Sequence, residues 1–162
     1  MAENVYVKLT ANGTHIKGES SRHSLDRKDL IECRQIHMGA RTGIDRTGGK
    51  GTGSVLFDDF VIIKPIDQAS PLIYQALCKN ETIELEAKFF RPAQLDGKPE
   101  HFYSIIGKGG RVTSISQATA DGMDPNSANE EPCETLSFKF ESINFAYPTK
   151  SLEYGYSRSA SE

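Results

Sequence analysis

One stretch of this chain carries a helical period, and its isolation constrains the fold more than any other feature. In residues 66–80, IDQASPLIYQALCKN, the apolar residues Leu72, Ile73, Ala76 and Leu77 recur at helical spacing and form one face. Ser70 reads as the N-cap and Asn80 as the stop. Pro71 takes the first helical position, where its missing N–H costs nothing. Nearly everything on either side alternates with period two or is turn-like. A single short helix among many strands has to cover an open end or face of a β structure.

The strands are read from their alternation. Val5, Val7 and Leu9 oppose Tyr6, Lys8 and Thr10, which predicts a half-buried first strand. Asn12-Gly13 then predicts a tight hairpin and a return strand over 15–19. Residues 20–29 are polar and charged, with no face to bury, and read as loop. Over 30–40 the alternation is weak, with Ile36 and Met38 on one side and Gln35 and His37 on the other. Residues 41–53, RTGIDRTGGKGTG, hold five glycines and one large apolar residue, Ile44. That length without a periodic pattern predicts a functional or disordered loop.

Residues 55–66 are apolar on both faces, with Val55, Phe57, Val61 and Ile63 opposing Leu56, Phe60 and Ile62. This predicts one strand covered on both sides, by its own core and by a helix or another chain. Beyond the helix, Ile83, Leu85, Ala87 and Phe89 alternate with Glu84, Glu86 and Lys88, giving a strand with one wet face. A turn over 92–99, a strand over 101–106, a second turn at 107–110 and a strand over 111–119 follow. Residues 120–132 read as a mobile loop. Residues 133–147 predict the longest strand. Its apolar phase slips between Leu136, Phe138 and Phe140 and the later Ile143, Phe145 and Tyr147, which requires a bulge or bend near Glu141 and Ser142. Pro148 breaks it and a short strand over 152–156 closes the chain. The expected fold is mainly β: a compact barrel of about eight or nine strands, which manages its edges by closing, with one flanking helix over about 70–80.

Composition narrows the function. At 162 residues the chain is expected to form a single domain, 1–162. A net charge of −3 argues against a nucleic-acid binder, and no apolar run approaches the roughly 18 residues needed to span a membrane. The opening residues, MAENVYVKLT, lack the basic and hydrophobic blocks of a secretory signal. Cys33, Cys78 and Cys133, odd in number and far apart, suit thiols in a reducing compartment.

Chemical motifs are tested in turn. Gly49-Lys50-Gly51 and Gly107-Lys108-Gly109 lack the Ser or Thr and the early glycine of a phosphate loop, and neither opens a predicted helix. Cys33 and His37 share a strand face, but two ligands do not hold a zinc ion. No Gly-x-Ser-x-Gly elbow occurs, and Glu84 and Glu86 read as solvated. No catalytic residue, cofactor or metal is expected, and the chain is not read as an enzyme.

Several segments, in order, resemble the haemolysin-coregulated protein family, the tube subunits of bacterial type VI secretion systems. They are the opening strand with Ile16-Lys17-Gly18-Glu19-Ser20, then Ile66-Asp67 leading to Ser70-Pro71, Thr135-Leu136-Ser137-Phe138, and Tyr154-Gly155-Tyr156. The resemblance covers roughly residues 5–156. It implies a β-barrel flanked by one helix and assembled with copies of itself as a hexameric ring. Rings stack into a tube expelled by a contractile sheath beneath a spike protein, with small effector proteins carried in the lumen. Such a subunit would reside in the bacterial cytoplasm and leave without a cleavable signal peptide. The family often has tryptophans in the strand that here spans 31–39, whereas this chain has none and places Ile36 and Met38 there.

By this resemblance the loop 41–53 contacts neighbouring subunits, so Arg41, Thr42, Ile44, Asp45, Arg46 and Lys50 are interface candidates. Phe60 and Ile62 join them as surplus apolar surface on the doubly apolar strand. Gln35 and His37, opposite Ile36 and Met38, are candidates for the lumen; the competing reading makes them ordinary outer-face residues. Two further functions stay open: a monomeric β-barrel module binding a small ligand with the helix plugging its mouth, and a phage-like tail tube subunit. The glycine-rich loop favours the assembly readings, because a monomeric binder gains little from it.

Overall fold

The computed structural model of the protein describes residues 4–44 and 47–158. Asn12 and Gly13 both take left-handed backbone (φ 47° and 82°), so β1 (Val5–Ala11) turns back into β2 (Thr14–Ile16). There follow β3 (Ile31–Cys33), β4 (Gln35–His37), β5 (Ala40–Ile44), β6 (Gly51–Phe57) and β7 (Phe60–Pro65). The helix α1 (Ser70–Cys78) leads to β8 (Ile83–Pro92), β9 (Pro99–Ala118), β10 (Cys133–Lys139), β11 (Ser142–Tyr147) and β12 (Leu152–Ser157). The architecture is mainly β with one α-helix, in more strands than expected because several predicted strands are divided.

Strand pairing runs β2-β1-β8-β9-β10-β7-β4, all antiparallel, with β3 on β1 and with β11 joining β9 to β12. This ladder does not close on itself as the expected barrel would. Its two ends are joined instead by residues 31–37: β3 pairs with β1, β4 pairs with β7, and Arg34 between them donates its N–H to the Ile63 carbonyl at 2.8 Å. One short segment changes partners, so the circuit is bridged by chain and not by a continuous ladder.

The largest departure from the sequence reading is β9. Gly107–Gly110 does not turn the chain back; the strand runs on, bends, and changes sheets there. Its first half pairs with β8 and β11, its second with β10. Gly109 takes φ 63°, and a Cβ at Gly107 or Gly110 would lie 2.6 or 2.3 Å from the Phe140 ring. The glycines therefore make room for Phe140, which is itself buried where β10 ends and β11 begins. The predicted phase slip of 133–147 is this same corner, with the strand interrupted at Phe140 and Glu141.

One core joins both halves and the helix: Val7, Leu9, Ile62, Ile73, Leu85, Ile105, Leu136 and Phe138 belong to a single buried cluster. In α1, Ile73 and Ala76 point into it, while Leu72 stays 44% exposed and is not part of the buried face. Ala69, not Ser70, caps the helix; Ser70 is its first residue and is buried. Asn80 takes left-handed backbone and ends the helix as expected, with Glu81 donating back to the Ala76 carbonyl.

The segment 20–29 is less open than its polarity suggests. Gly18 and Ser20 bond through their N–H groups to the Asp29 and Leu30 carbonyls. Arg27 is buried with its guanidinium 4.7 Å from the Phe90 ring centre and 5.3 Å from that of Tyr6. Tyr6, expected on a wet face, is covered by this lid.

Candidate assembly surface

The span 41–53 is not a structureless loop. Most of it belongs to a β-hairpin in which β5 and β6 pair only with each other: Ala40 opposes Phe57, Arg41 opposes Leu56, Thr42 opposes Val55 and Ile44 opposes Gly51. The register slips between Thr42 and Ile44, and Gly49 and Gly53 take left-handed backbone (φ 64° and 80°) that other residues adopt only with strain. The expected single strand over 55–66 is thus two strands. Asp58 and Asp59 divide them, and Asp58 donates its N–H to the Gly39 carbonyl at 2.9 Å.

The hairpin is an arm standing off the body. Arg41, Thr42 and Lys50 are exposed, Ile44 is 65% exposed and Leu56 50%. Its root is anchored by Phe57, whose ring lies 5.0 Å from Tyr156 and 6.4 Å from Phe145. Asp45 and Arg46 lie outside the described residues. From that root, Tyr154 and Leu152 continue the Tyr156 face of the edge strand β12, and they are 67% and 64% exposed.

Phe60 and Ile62 are a correction. Both are 1% exposed and lie in the core cluster, so a neighbouring chain cannot reach them. The apolar residues open to solvent in this region are on the arm, because the strand that seemed to have two apolar faces is two strands with different surroundings. Gln35 and His37 are exposed on the edge strand β4, while Ile36 and Met38 pack against the core, which is the phase expected from the sequence. Among the described residues, neither Gln35 nor His37 is hydrogen-bonded to a side chain of the arm.

A group that sequence reasoning missed lies at the other end of β7. Lys64 is fully buried; its Nζ donates to Asp67 Oδ1 at 2.7 Å, the Pro65 carbonyl at 3.0 Å and Ser70 Oγ at 3.4 Å, and forms an ion pair with Glu134 Oε1 at 2.5 Å. Ser70 Oγ donates to the same Glu134 oxygen at 2.7 Å, and Gln117 Nε2 donates to the other at 2.9 Å. Asp67 Oδ1 accepts the Ala69 N–H at 3.0 Å, which ties the helix start into the network. The signal was in the alternation: Lys64 shares the buried phase of Phe60 and Ile62, Glu134 that of Leu136 and Phe138, and the two face each other across the β7–β10 ladder.

Beside this network is a surface groove of about 500 Å³, lined by Pro65, Ile66 and Pro132 and rimmed by Glu19, Glu32, Asp67 and Glu131. Its proline and isoleucine walls come from the ends of β7 and of the 119–132 connection. Elsewhere, burial pushes the Cys33 thiol well above its ordinary range, which keeps it an unreactive thiol. His101 Nε2 lies 2.6 Å from Ser104 Oγ and 3.1 Å from the Tyr103 carbonyl, with its ring 5.3 Å from Phe90. Burial, and then the nearby Lys88, hold it below the usual histidine range. Among the described residues no three His, Cys, Asp or Glu side chains are grouped to hold a metal ion.

The profile of a family described as "Type VI secretion system effector, Hcp" matches residues 6–147. The "Major exported protein" of Pseudomonas aeruginosa is 27% identical over 104 residues, which cover 64% of this chain and 60% of that relative. The aligned part therefore spans about three fifths of the relative's length. Among solved structures, a mutant form of the Hcp1 protein from E. coli EAEC 042 matches with a TM-score of 0.82 at 22% identity, over 95% of this chain and 97% of that one. The secreted protein Hcp3 from Pseudomonas aeruginosa matches with a TM-score of 0.72 at 16% identity, over 97% of this chain and 98% of that one. At such identities the structural matches speak for the fold, and they do so over nearly the whole chain. The family match rests on the sequence, and family membership is what sets the chain among structural secreted proteins and apart from enzymes. By the family match, over a fold that agrees with it, the chain belongs to the Hcp family of type VI secretion proteins.

Proposed function

We propose that this chain is the structural subunit of a type VI secretion tube, assembling as hexameric rings that stack, are expelled by a contractile sheath beneath a spike, and carry small effector proteins in the lumen. It is made in the bacterial cytoplasm and leaves through the type VI system. The observation that carries this reading is the arm. A member of this family presents a hairpin, paired with no other strand, whose apolar residues Ile44, Val55 and Leu56 are left in water, and exposed apolar surface on a projecting element marks a contact site. A ring or stack covers such surface through a heterologous contact repeated from copy to copy. Gln35 and His37 on the edge strand β4 are our candidates for the lumen wall.

Particle mass in solution together with negative-stain images tests this. Rings with an open centre, and tubes at high concentration, are expected. Deleting residues 46–52 should leave single rings and abolish stacking. A stable particle of 17.9 kDa at every concentration would overturn the proposal and favour the monomeric binding module.

A further inference from the structure

The arm and the groove beside Lys64 match each other in chemistry and lie at opposite ends of the same strand. The arm leaves the body next to Phe60, at the start of β7, and the groove opens around Pro65 and Ile66 at its finish. Five strand steps separate them by about 17 Å. The described charged residues of the arm, Arg41 and Lys50, are both basic and exposed, in a chain whose net charge is −3. It also offers an exposed isoleucine, Ile44. The groove has the complementary features: carboxylates on its rim and apolar walls that leave Ile66 41% exposed.

The rim is only half neutralised from within. Arg34 pairs with Glu131 at 3.0 Å and Lys64 with Asp67, but among the described residues Glu19 and Glu32 have no cationic partner. Glu19 accepts the Gln68 N–H at 3.0 Å, and Glu32 accepts from Asn4 and Tyr6.

We infer that the groove walled by Pro65, Ile66 and Pro132 and rimmed by Glu19 and Glu32 is the seat for the arm of a second copy of this chain. Ile44 enters the apolar walls, and the arm's basic residues meet the carboxylates. Because donor and acceptor are different patches, at opposite ends of β7, the contact is heterologous: each copy gives an arm and receives one at another place. A contact of this kind propagates along an axis unless its rotation closes a ring. This inference rests on the assembly proposed above and says where the arm goes.

The full chain carrying Cys78→Ser and Cys133→Ser, with Ile44→Cys and Ile66→Cys added, tests it by mild oxidation during assembly. All four positions can be changed without disturbing the core, since Cys78, Ile44 and Ile66 are exposed and Cys133 is partly so. A ladder of disulfide-linked species beyond the dimer is expected, because each copy bears the two halves of the bond at separate places. Ile44→Cys alone should stop at dimers. A charge swap gives an independent arm: Lys50→Glu or Glu19→Lys alone should weaken assembly about tenfold, and the pair together should restore most of it. If rings and tubes form but no ladder grows and the swap gives no rescue, the arm seats elsewhere; the inference falls and the assembly proposal stands. If the parent chain forms neither rings nor tubes, both fall.

Discussion

At the residue scale, Lys64 is the most consequential side chain that the fold conceals. An ammonium has three N–H groups, and here Asp67, the Pro65 carbonyl and Ser70 accept from it while Glu134 adds a second carboxylate, so the buried charge is fully satisfied. Removing one member of such a group leaves the others charged in a low-dielectric interior, which typically costs about 3–5 kcal/mol. Lys64→Met should therefore lower the free energy of unfolding in urea by about that amount. Combining it with Glu134→Leu should recover a large part, since no buried carboxylate is then stranded on β10. A loss from Lys64→Met below about 1 kcal/mol would mean that water reaches the site and that the network is not dry. Lys64 and Glu134 were legible in principle, as opposite charges in the buried phases of two apolar strands. The pairing of those strands, which places the charges face to face, was not.

At the scale of elements, the corner shared by β9, β10 and β11 decides the shape. Two long strands bend at one level, and the bend works because Gly107 and Gly110 leave the volume that the Phe140 ring fills. Overfilling a packed site of this kind costs about 1–3 kcal/mol. Gly107→Ala should destabilise the protein by that amount, and shrinking the ring with Phe140→Leu should be less harmful in the Gly107→Ala background than in the parent. Strictly additive losses in that cycle would show that the two positions do not compete for space. From sequence the glycine run reads as a turn, because glycine permits both a reversal and a close approach. Which one it serves depends on whether a bulky group from elsewhere arrives there. The helix was easier to read, since its period is local, although it starts one residue earlier than read, at Ser70, whose buried hydroxyl donates to Glu134.

At the scale of the whole molecule, surface is left over. The edge strand β12 ends the ladder with Leu152 and Tyr154 exposed, next to the root of the arm. An open, apolar edge is a liability in a solitary protein and an asset in an assembling one. Leu152→Lys with Tyr154→Lys should leave the melting temperature of the dispersed protein within about 2 °C, as exposed positions contribute little to stability, while reducing ring formation in sedimentation. Unaltered assembly would mean that this edge stays in solvent in the oligomer. The alternation of apolar and polar residues, the one helical period and the Asn12-Gly13 turn determined on their own that the chain is mainly β with a single helix, because each is a property of neighbours in sequence. The burial of Phe60 and Ile62, the change of partners at Arg34, the arm's separation from the body and the charges under α1 were decided only by tertiary structure. Each depends on which distant segment arrives to cover a face, and a face looks the same in sequence whether its cover is its own core, a lid such as Arg27, or another copy of the chain.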